Sequence, residues 1–366
     1  MIAITLSVLI VSAIGAGLAL LLVFAERYIL DYGECEITIN EDKQIRLQGG
    51  SSLLEALTRE KIFIPSACGG RGSCGYCKVT ALEGAGPLLP TEEPYLDKAE
   101  KEKGVRLSCQ IKVRNDIRIR IPEELLSVRE FECVCTRIRE LTYDIREYRF
   151  RLENPDSMKF IPGQYVQVLA PEYEDSPEEV YRAYSISSDP ALEGSIELIV
   201  RRVPSGICTT YLFDHLKEGD PVRINGPYGH FRLTETQAPM IFVAGGSGMA
   251  PIKCILHHMA NIRCEREATY YFGVNTLRDL FMVDEMNAFQ EQLPRFRFFP
   301  VLARPDEGSE WTGETGLVTE AVKRAFPDCS KHEAYLCGSP GMIDATVKVL
   351  NEGGMPVENI FYDKFS

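Results

Sequence analysis

Four unevenly spaced cysteines are the residues of this sequence best suited to chemistry. Cys68, Cys74 and Cys77 lie within ten residues, and Cys109 follows after 31 intervening residues. A [2Fe–2S] cluster takes two thiolates per iron, commonly three from one loop and a fourth from a distant segment. The sequence therefore predicts a plant-type [2Fe–2S] cluster, although the first gap is one residue longer than usual. Zinc is the alternative, but zinc sites favour paired C-x₂-C units and need no glycines. The cysteine loop contains four glycines that let the backbone wrap closely around the sulfurs. They are Gly69, Gly70, Gly72 and Gly75.

A second pattern is suited to binding a flavin. Arg182-Ala183-Tyr184-Ser185 stands in an expected strand, and Gly206-Ile-Cys208-Thr209 opens a short helix some twenty residues later. A helix start with free N–H groups and hydroxyls attracts anions, and an arginine suits a pyrophosphate. Tyr184 would lie flat on an isoalloxazine ring, with Ser185 near the reacting N5. The alternative is that Tyr184 belongs to an ordinary strand core.

A third pattern is suited to a nicotinamide dinucleotide. Gly245, Gly246, Gly248 and Met249 follow one apolar strand and open a helix, where glycines let a pyrophosphate approach. Cys337-Gly338 ends a later strand, at the strand edge where open α/β sheets bind ligands. The glycine run is not the G-x-G-x-x-G fingerprint, and Cys337 could instead be a buried core thiol.

These motifs fall in three successive segments that follow an apolar N-terminus. Strand and helix patterns predict an α+β ferredoxin-like domain, an antiparallel β-barrel and a doubly wound α/β domain. The uncharged run 1–25 is long enough to span a bilayer, and no Lys or Arg precedes it as in a cleaved signal peptide. The expected organisation is a transmembrane anchor at 1–27, the cluster domain at 28–129, the flavin domain at 130–237 and the nicotinamide domain at 238–366.

The formal net charge of −13 argues against a nucleic-acid partner, which needs a basic surface. Twelve cysteines do not indicate a secreted disulfide framework, because the chain is long and its cysteines are unevenly spread. None of the motifs supplies an acid/base pair, which agrees with redox chemistry carried by cofactors.

Together the motifs resemble the ferredoxin–NAD(P)⁺ reductase superfamily with an N-terminal ferredoxin. The order of anchor, cluster, flavin and nicotinamide domains is similar, more narrowly, to the F subunits of sodium-translocating NADH:quinone oxidoreductases. The similarity covers essentially the whole chain. Its most specific parts are these segments: Ser66-Ala-Cys-Gly-Gly, Arg182-Ala-Tyr-Ser, Gly248-Met-Ala-Pro, Trp311-Thr-Gly and Asp363-Lys-Phe365.

The resemblance implies that NADH passes a hydride to FAD, which passes single electrons to the cluster and on to a membrane partner, ultimately quinone. It implies β-grasp topology for the cluster domain and a catalytic group formed by Ser185, Cys337 and Phe365. Phe365 would cover the flavin until nicotinamide displaces it. The implied partners are other membrane subunits. The location is the cytoplasmic (inner) membrane, with one span and the cofactor domains facing the cytoplasm. The remaining implied cofactor contacts are Arg182, Ala183, Tyr184, Gly206, Cys208, Thr209, Gly245, Gly246, Gly248, Met249 and Gly338.

Two departures and two alternatives accompany the resemblance. Only Pro171–Val180 stands where the family usually has a long insertion, and His230 replaces a usually acidic residue. NADH is favoured over NADPH because Asp279 would repel the 2′-phosphate that Arg278 could bind. One alternative is the reductase component of an oxygenase, which shares these domains but normally lacks an anchor. The other is an electron carrier with a vestigial reductase half.

Overall fold

The computed structural model describes residues 10, 12–21, 32–126, 128–174, 176–305, 308 and 310–365. These residues divide into two compact units, one extending to Ser66 and from Gly70 to Ser127, the other comprising Ala67–Gly69 and Val128–Ser366. Most of the expected anchor, 1–27, lies outside the described residues; 12–21 are helical. Within the described ranges, no helix is both long and apolar enough to cross a membrane.

The first unit is built on a mixed five-stranded sheet that wraps around one helix. Strand β1 pairs with β2 as a hairpin and runs parallel to β5 at the centre of the sheet, in the order β2-β1-β5-β3-β4. Alternating isoleucines of β1 and β5 share the core with the apolar face of α1. The elements are β1 Glu34–Ile39, β2 Lys43–Gln48, α1 Leu53–Arg59, β3 Lys78–Glu83, α2 Lys98–Glu102, β4 Val105–Leu107, β5 Ile117–Arg120 and α3 Glu123–Leu126.

The second unit begins with an antiparallel sheet of six strands, ordered β10-β7-β6-β11-β8-β9. Its two edges meet, because Ile186 bridges Leu198 and the Ser187 N–H donates to the Glu197 carbonyl at 2.8 Å. The sheet therefore closes into the expected barrel. Its elements are β6 Arg129–Glu140, β7 Ile145–Asn154, β8 Tyr165–Ala170, β9 Val180–Ser185, β10 Ser195–Arg201, α4 Ile207–Thr210 and β11 Pro221–Tyr228. A π-helical turn, Tyr211–His215, extends α4.

A parallel sheet with helices follows in the same unit, here called the α/β part. Its order, β15-β14-β13-β12-β16-β17, reverses direction between β12 and β16, as in doubly wound folds. These two strands are parallel neighbours, so the glycine motifs at their carboxyl ends lie side by side. The elements are β12 Met240–Gly245, α5 Met249–Asn261, β13 Ala268–Val274, α6 Val283–Gln292, β14 Phe296–Leu302, β15 Glu314–Thr315, α7 Val318–Ala325, β16 Glu333–Gly338, α8 Pro340–Glu352 and β17 Ile360–Lys364.

The structure corrects the sequence expectation at one strand close to the cluster loop. The sequence pattern over Arg106–Ile111 predicts one strand, but the strand ends at Leu107 and residues 108–110 form a turn. The Gln110 N–H donates to the Leu107 carbonyl at 2.9 Å, which closes the turn. Apolar alternation could not reveal this turn, because Leu107 and Ile111 are both buried on either side of it.

Candidate functional site

The cysteine loop owes its course to glycines at left-handed backbone angles. Gly69, Gly70, Gly72 and Gly75 all have positive φ, between +64° and +85°. A Cβ on Gly72 would lie 2.6 Å from Nε2 of Gln110, and one on Gly75 would lie 2.8 Å from the ring of Tyr95. The loop thus needs glycine at these positions for both conformation and space. The Gly70 N–H donates to the buried Ser66 hydroxyl at 3.0 Å, which fixes the start of the loop.

Two of the four predicted ligands meet directly. The Cys77 and Cys109 thiols hydrogen-bond each other, which together with burial raises the pKa of Cys77, and the Ser108 hydroxyl acts in the opposite direction. Nε2 of Gln110 lies 3.6 Å from the sulfur of Cys109. Cys74 is half-buried in the same unit, and Cys68 lies in the segment Ala67–Gly69 that is grouped with the second unit.

Four cysteine thiols, two of which are in contact, are the donors that a two-iron cluster takes. Across the described residues, no three His, Cys, Asp or Glu side chains are grouped to hold one metal ion. A [2Fe–2S] cluster divides its thiolates two by two between the irons. The contact between Cys77 and Cys109 and the glycine loop beside it match that requirement. Bound iron would favour the thiolate form of the ligands and so reverse the pKa shift of Cys77.

The predicted flavin residues lie on β9, at the edge where the barrel closes. Tyr184 and Ser185 pair with Val166 and Tyr165 of β8. The Tyr184 hydroxyl hydrogen-bonds the thiol of Cys208, and burial raises the pKa of Tyr184 well above its usual value. Burial likewise raises the pKa of Cys208 to about 11. Both groups are therefore neutral, and the hydrogen bond between them fixes the hydroxyl end of the tyrosine ring.

The side chains of Cys208 and Thr209 are engaged within the protein. The Cys208 thiol donates to the Val168 carbonyl at 3.8 Å, and the Thr209 hydroxyl lies 3.1–3.2 Å from backbone groups of Val203 and Gly206. A Cβ on Gly206 would lie 2.6 Å from that hydroxyl. The Thr209 side chain thus bonds to the backbone of the turn 203–206 that precedes α4.

The predicted nicotinamide residues lie where β12 and β16 end beside each other. A Cβ on Gly248 would lie 2.3 Å from the Cys337 carbonyl oxygen, and one on Gly338 would lie 2.9 Å from the methyl of Met342. Gly246 has a φ of +55° and would have no atom closer than 3.6 Å to a Cβ. The turn thus packs its backbone against β16 on one side and leaves a small cradle at Gly246, as a dinucleotide phosphate requires.

The C-terminal strand gathers the three predicted catalytic residues. The Ser185 hydroxyl of the barrel lies 3.5 Å from a carboxylate oxygen of Asp363 on β17. Asp363 pairs with the fully buried Cys337 on β16, and the Phe365 N–H donates to the Gly338 carbonyl at 2.9 Å. Burial raises the pKa of Cys337 well above its usual value, so its thiol is neutral. Ser185 and Cys337 thus both neighbour Asp363 of β17, and Phe365 follows the end of that strand.

Sequence reasoning named Asp363 in a motif but gave it no role. It also missed a group of buried charges centred on Lys253 of α5. The Lys253 ammonium lies 2.9 Å from Glu147 of β7 and 3.0 Å from Glu197 of β10. No local spacing could have revealed these contacts, because their partners are 56 and 106 residues away.

Three family models match successive parts of the chain. Residues 37–114 match the family model of the 2Fe-2S iron-sulfur cluster binding domain, 132–233 the oxidoreductase FAD-binding domain and 242–348 the oxidoreductase NAD-binding domain. The F subunit of the Na(+)-translocating NADH-quinone reductase of Neisseria meningitidis FAM18 is 34% identical over 99% of both chains. That of Pseudoalteromonas atlantica is 34% identical over 96% of this chain and 97% of its own.

The chain belongs to the family of F subunits of Na(+)-translocating NADH-quinone reductases. It is an oxidoreductase whose three domains bind a [2Fe–2S] cluster, FAD and NAD. Solved structures support the same architecture. The Amycolatopsis cytochrome P450 reductase GcoB is similar with a TM-score of 0.72 and 28% identity, over 90% of this chain and 98% of that one. The ferredoxin reductase in carbazole 1,9a-dioxygenase matches with a TM-score of 0.70 and 25% identity, over 91% and 99%.

Proposed function

We propose that this protein oxidises NADH and sends the electrons through FAD and the [2Fe–2S] cluster to a membrane partner and ultimately to quinone. The observation that carries the proposal is the contact of Ser185 with Asp363 of β17, the residue that pairs with Cys337 and lies two positions before Phe365. It joins the barrel that binds FAD to the strand edge that binds NADH. The relatives are named as NADH-quinone reductase subunits, and quinone is extended from that name to this chain.

The proposed division of labour follows the domains at 28–129, 130–237 and 238–366. When bound, FAD would supply a two-electron acceptor and the cluster a one-electron carrier. Ser185 would present its hydroxyl at the reacting edge of the flavin, and Asp363 would orient that hydroxyl. Gly246 and Gly248 would admit the dinucleotide phosphates, with Met249 at the start of α5. Neutral, buried Cys337 would line the nicotinamide site without adding charge or water.

We further propose that residues 1–27 anchor the protein as a single span, with its cofactor domains on the cytoplasmic side. The support is the uncharged run 1–25 and a length that suffices for a bilayer. NADH is a cytoplasmic cofactor, which gives the orientation. The other subunits of a sodium-translocating complex would then be the partners, as the names of the relatives suggest.

The test is to reduce the purified full chain with NADH under anaerobic conditions. We expect the flavin absorption band to bleach and a [2Fe–2S] electron paramagnetic resonance signal to develop. In Cys109→Ser the flavin should still bleach while the cluster signal is lost, because one of the four ligands is missing. Cys264→Ser is the matched control and should retain both signals. A wild-type chain that NADH does not bleach would refute the proposal.

A reductase of an oxygenase is the second candidate, favoured by the similarity to the P450 and dioxygenase reductases. The two candidates differ in the acceptor rather than in the path inside the chain. On the first proposal the protein reduces quinone in membranes that contain its partner subunits. On the second proposal it reduces a soluble oxygenase. Measuring NADH-dependent quinone reduction in membranes with and without the full chain separates them.

A further inference from the structure

A cluster of seven charged residues joins the barrel to the helix that follows the nicotinamide turn. Lys253 lies on α5 and Glu285 on α6 of the α/β part, and the other five lie on barrel strands β6, β7 and β10. We call this set the Lys253 cluster. It comprises Lys253, Glu147, Glu197, Glu285, Arg137, Arg139 and Arg149.

The centre of the Lys253 cluster is buried. The side chains of Lys253, Glu147 and Glu197 are 6%, 0% and 9% exposed. Both carboxylates bind the ammonium, at 2.9 Å and 3.0 Å. Burial lowers the pKa of Lys253, but attraction by Glu197 and Glu147 outweighs it, and the pKa lies above its usual value. The lysine is therefore fully charged inside the protein.

The arginines surround the two glutamates from the barrel side. Arg137 binds both, at 2.8 Å from Glu147 and 3.0 Å from Glu197, and Arg149 binds Glu197. Arg139 lies 3.1 Å from Glu147 and 2.8 Å from Glu285. Each glutamate is thus fixed by several cations, and Lys253 is the ligand from α5 that completes the arrangement.

The location of the cluster ties it to the site. Lys253 is one helical turn beyond Met249, on the helix that the Gly245–Gly248 turn opens. The same two barrel strands reach that turn, because Arg201 of β10 and Ile145 of β7 are the nearest side chains to a Cβ built on Gly246, at 3.6 Å and 3.9 Å. Any rotation of α5 against the barrel would therefore move the nicotinamide turn relative to β9.

Stability alone does not account for such a cluster. Removing charges from water costs several kcal/mol per ion, and apolar residues of similar volume often stabilise as well or better. Directional ion pairs instead restrict two elements to one relative orientation, and hydride transfer is sensitive to misplacement of about 1 Å. Apolar residues of the barrel and of α5 share one core cluster, including Ile145, Ile199 and Ile252, and apolar packing lacks that directionality.

We propose that Lys253 is a positioning residue, which locks α5 to β7 and β10 and thereby sets the distance and angle between the nicotinamide and flavin sites. This inference rests on the proposed NADH-to-FAD function. Loss of Lys253 should leave both cofactor sites intact but misaligned. Arginine at position 253 should restore part of the alignment, because it keeps the charge and can bind two carboxylates.

The test compares Lys253→Met with Arg266→Met in the full chain. Arg266 forms an equally buried ion pair with Glu333 at 2.8 Å inside the α/β part, and it also donates to the Thr234 carbonyl of the segment between β11 and β12. Thermal unfolding, FAD content and the anaerobic rate of flavin reduction at saturating NADH are measured for both. Amide hydrogen exchange over residues 245–253 reports the turn independently of activity.

We expect both variants to lose thermal stability, but only Lys253→Met to slow flavin reduction, by about tenfold or more, with unchanged FAD content. Exchange over 245–253 should rise in that variant, and Lys253→Arg should recover at least part of the rate. Equal rates in Lys253→Met and wild type, or equal slowing in Arg266→Met, would overturn the inference. If Lys253→Met does not fold, Glu197→Gln serves instead, with the same expected separation of rate from FAD content. A wild-type chain that NADH fails to bleach would refute the proposed function and not this inference specifically.

Discussion

At the scale of single residues, Gly248 carries the sharpest prediction. A Cβ at this position would lie 2.3 Å from the Cys337 carbonyl oxygen, which is backbone and cannot swing away. Gly248→Ala should therefore push the nicotinamide turn off β16. We expect a loss of stability of about 1–3 kcal/mol, typical of overpacking, and a higher KM for NADH. Both are measured by denaturant unfolding and steady-state kinetics.

Gly341 provides the matched control for Gly248. It lies in the first turn of α8, and no atom would come within 4 Å of its Cβ. Gly341→Ala should leave KM unchanged and raise stability by about 0.5 kcal/mol, because alanine loses less backbone entropy in a helix. If the two alanine variants behave alike, close packing at Gly248 is not what makes glycine necessary there.

Phe365 carries a prediction about affinity. Its backbone is fixed to the Gly338 carbonyl at 2.9 Å, next to the predicted nicotinamide site. If its ring occupies that site most of the time, the apparent affinity for NADH equals the intrinsic affinity multiplied by the fraction of chains in which the site is open. Phe365→Ala should therefore lower the Kd for NADH by about tenfold, measured by titration of the oxidised protein with a non-reducing analogue. Tyr362→Ala, at an exposed position of β17 three residues earlier, should leave Kd unchanged.

At the scale of elements, the loop between β3 and β4 depends on one buried ion pair. Glu92, which is fully buried, binds Arg106 at 2.6 Å and accepts from the N–H groups of Leu107 and Leu89. Arg106 also donates to the carbonyls of Gly86 and Pro87. The pair thus holds a stretch without strands or long helices against β4, two residues before the turn that carries Cys109.

Removing one partner of this pair should be costly. Arg106→Met leaves the Glu92 carboxylate buried without its cation, which typically costs about 3–5 kcal/mol. We expect that loss in denaturant unfolding of the full chain, together with a lower iron content. Arg118→Met removes an exposed ion pair from β5 and should change stability by less than about 1 kcal/mol. Equal effects of the two substitutions would contradict the role of burial.

The same pair gives a pH dependence with a definite sign. Burial raises the pKa of Glu92, but hydrogen bonds from Arg106, Leu107 and Leu89 outweigh it, and the pKa lies below its usual value. A lowered folded-state pKa adds stability above the unfolded value of about 4.3 and loses it as pH falls further. Stability should therefore fall on acidification below that pH, and less steeply in Glu92→Gln, as followed by unfolding at stepped pH.

The elements also show how far sequence patterns reach. Sequence patterns predict a strand over Glu333–Cys337 and a helix over Gly341–Glu352, and β16 and α8 match both within one residue. Buried apolar runs and a proline at the helix start are local signals. The short helix Lys98–Glu102 was missed, since all five of its residues are polar or alanine and it buries no apolar face. Its capping box, Asp97 with Glu100, was the local signal that could have revealed it.

The same distinction applies to the site. Glycine turns and the cysteine loop are encoded within a few residues, so their positions could be predicted. The Ser185–Asp363 contact joins residues 178 apart, and the Lys253 cluster joins three strands and two helices. Contacts of this kind depend on how complete elements pack, which local spacing does not specify. The placement of the Thr209 hydroxyl within its own turn has the same origin.

At the scale of the whole molecule, the proposal separates catalysis from delivery. The positions assigned to NADH, FAD and the cluster all lie between residues 68 and 365, and the proposed anchor precedes them at 1–27. Hydride and electron transfer inside the chain should therefore not require residues 1–27. Delivery to a membrane quinone should require them, because an uncharged run of this length partitions into the hydrocarbon core of a bilayer.

Deleting residues 1–27 tests this separation. We expect the truncated chain to remain in the soluble fraction after ultracentrifugation with vesicles, whereas the full chain sediments with them. NADH should still bleach its flavin and produce the cluster signal at rates within about twofold of wild type, because no residue assigned to these steps lies within 1–27. A twofold change in rate corresponds to about 0.4 kcal/mol of activation free energy. NADH-dependent quinone reduction in membranes should be lost.

A matched variant that retains 1–27 but carries Leu18→Lys and Leu21→Lys should also fail to sediment with vesicles, because each charge in the bilayer core costs about 2.5–3.5 kcal/mol. Sedimentation of the truncated chain with vesicles would show instead that the membrane contact lies in the cofactor domains.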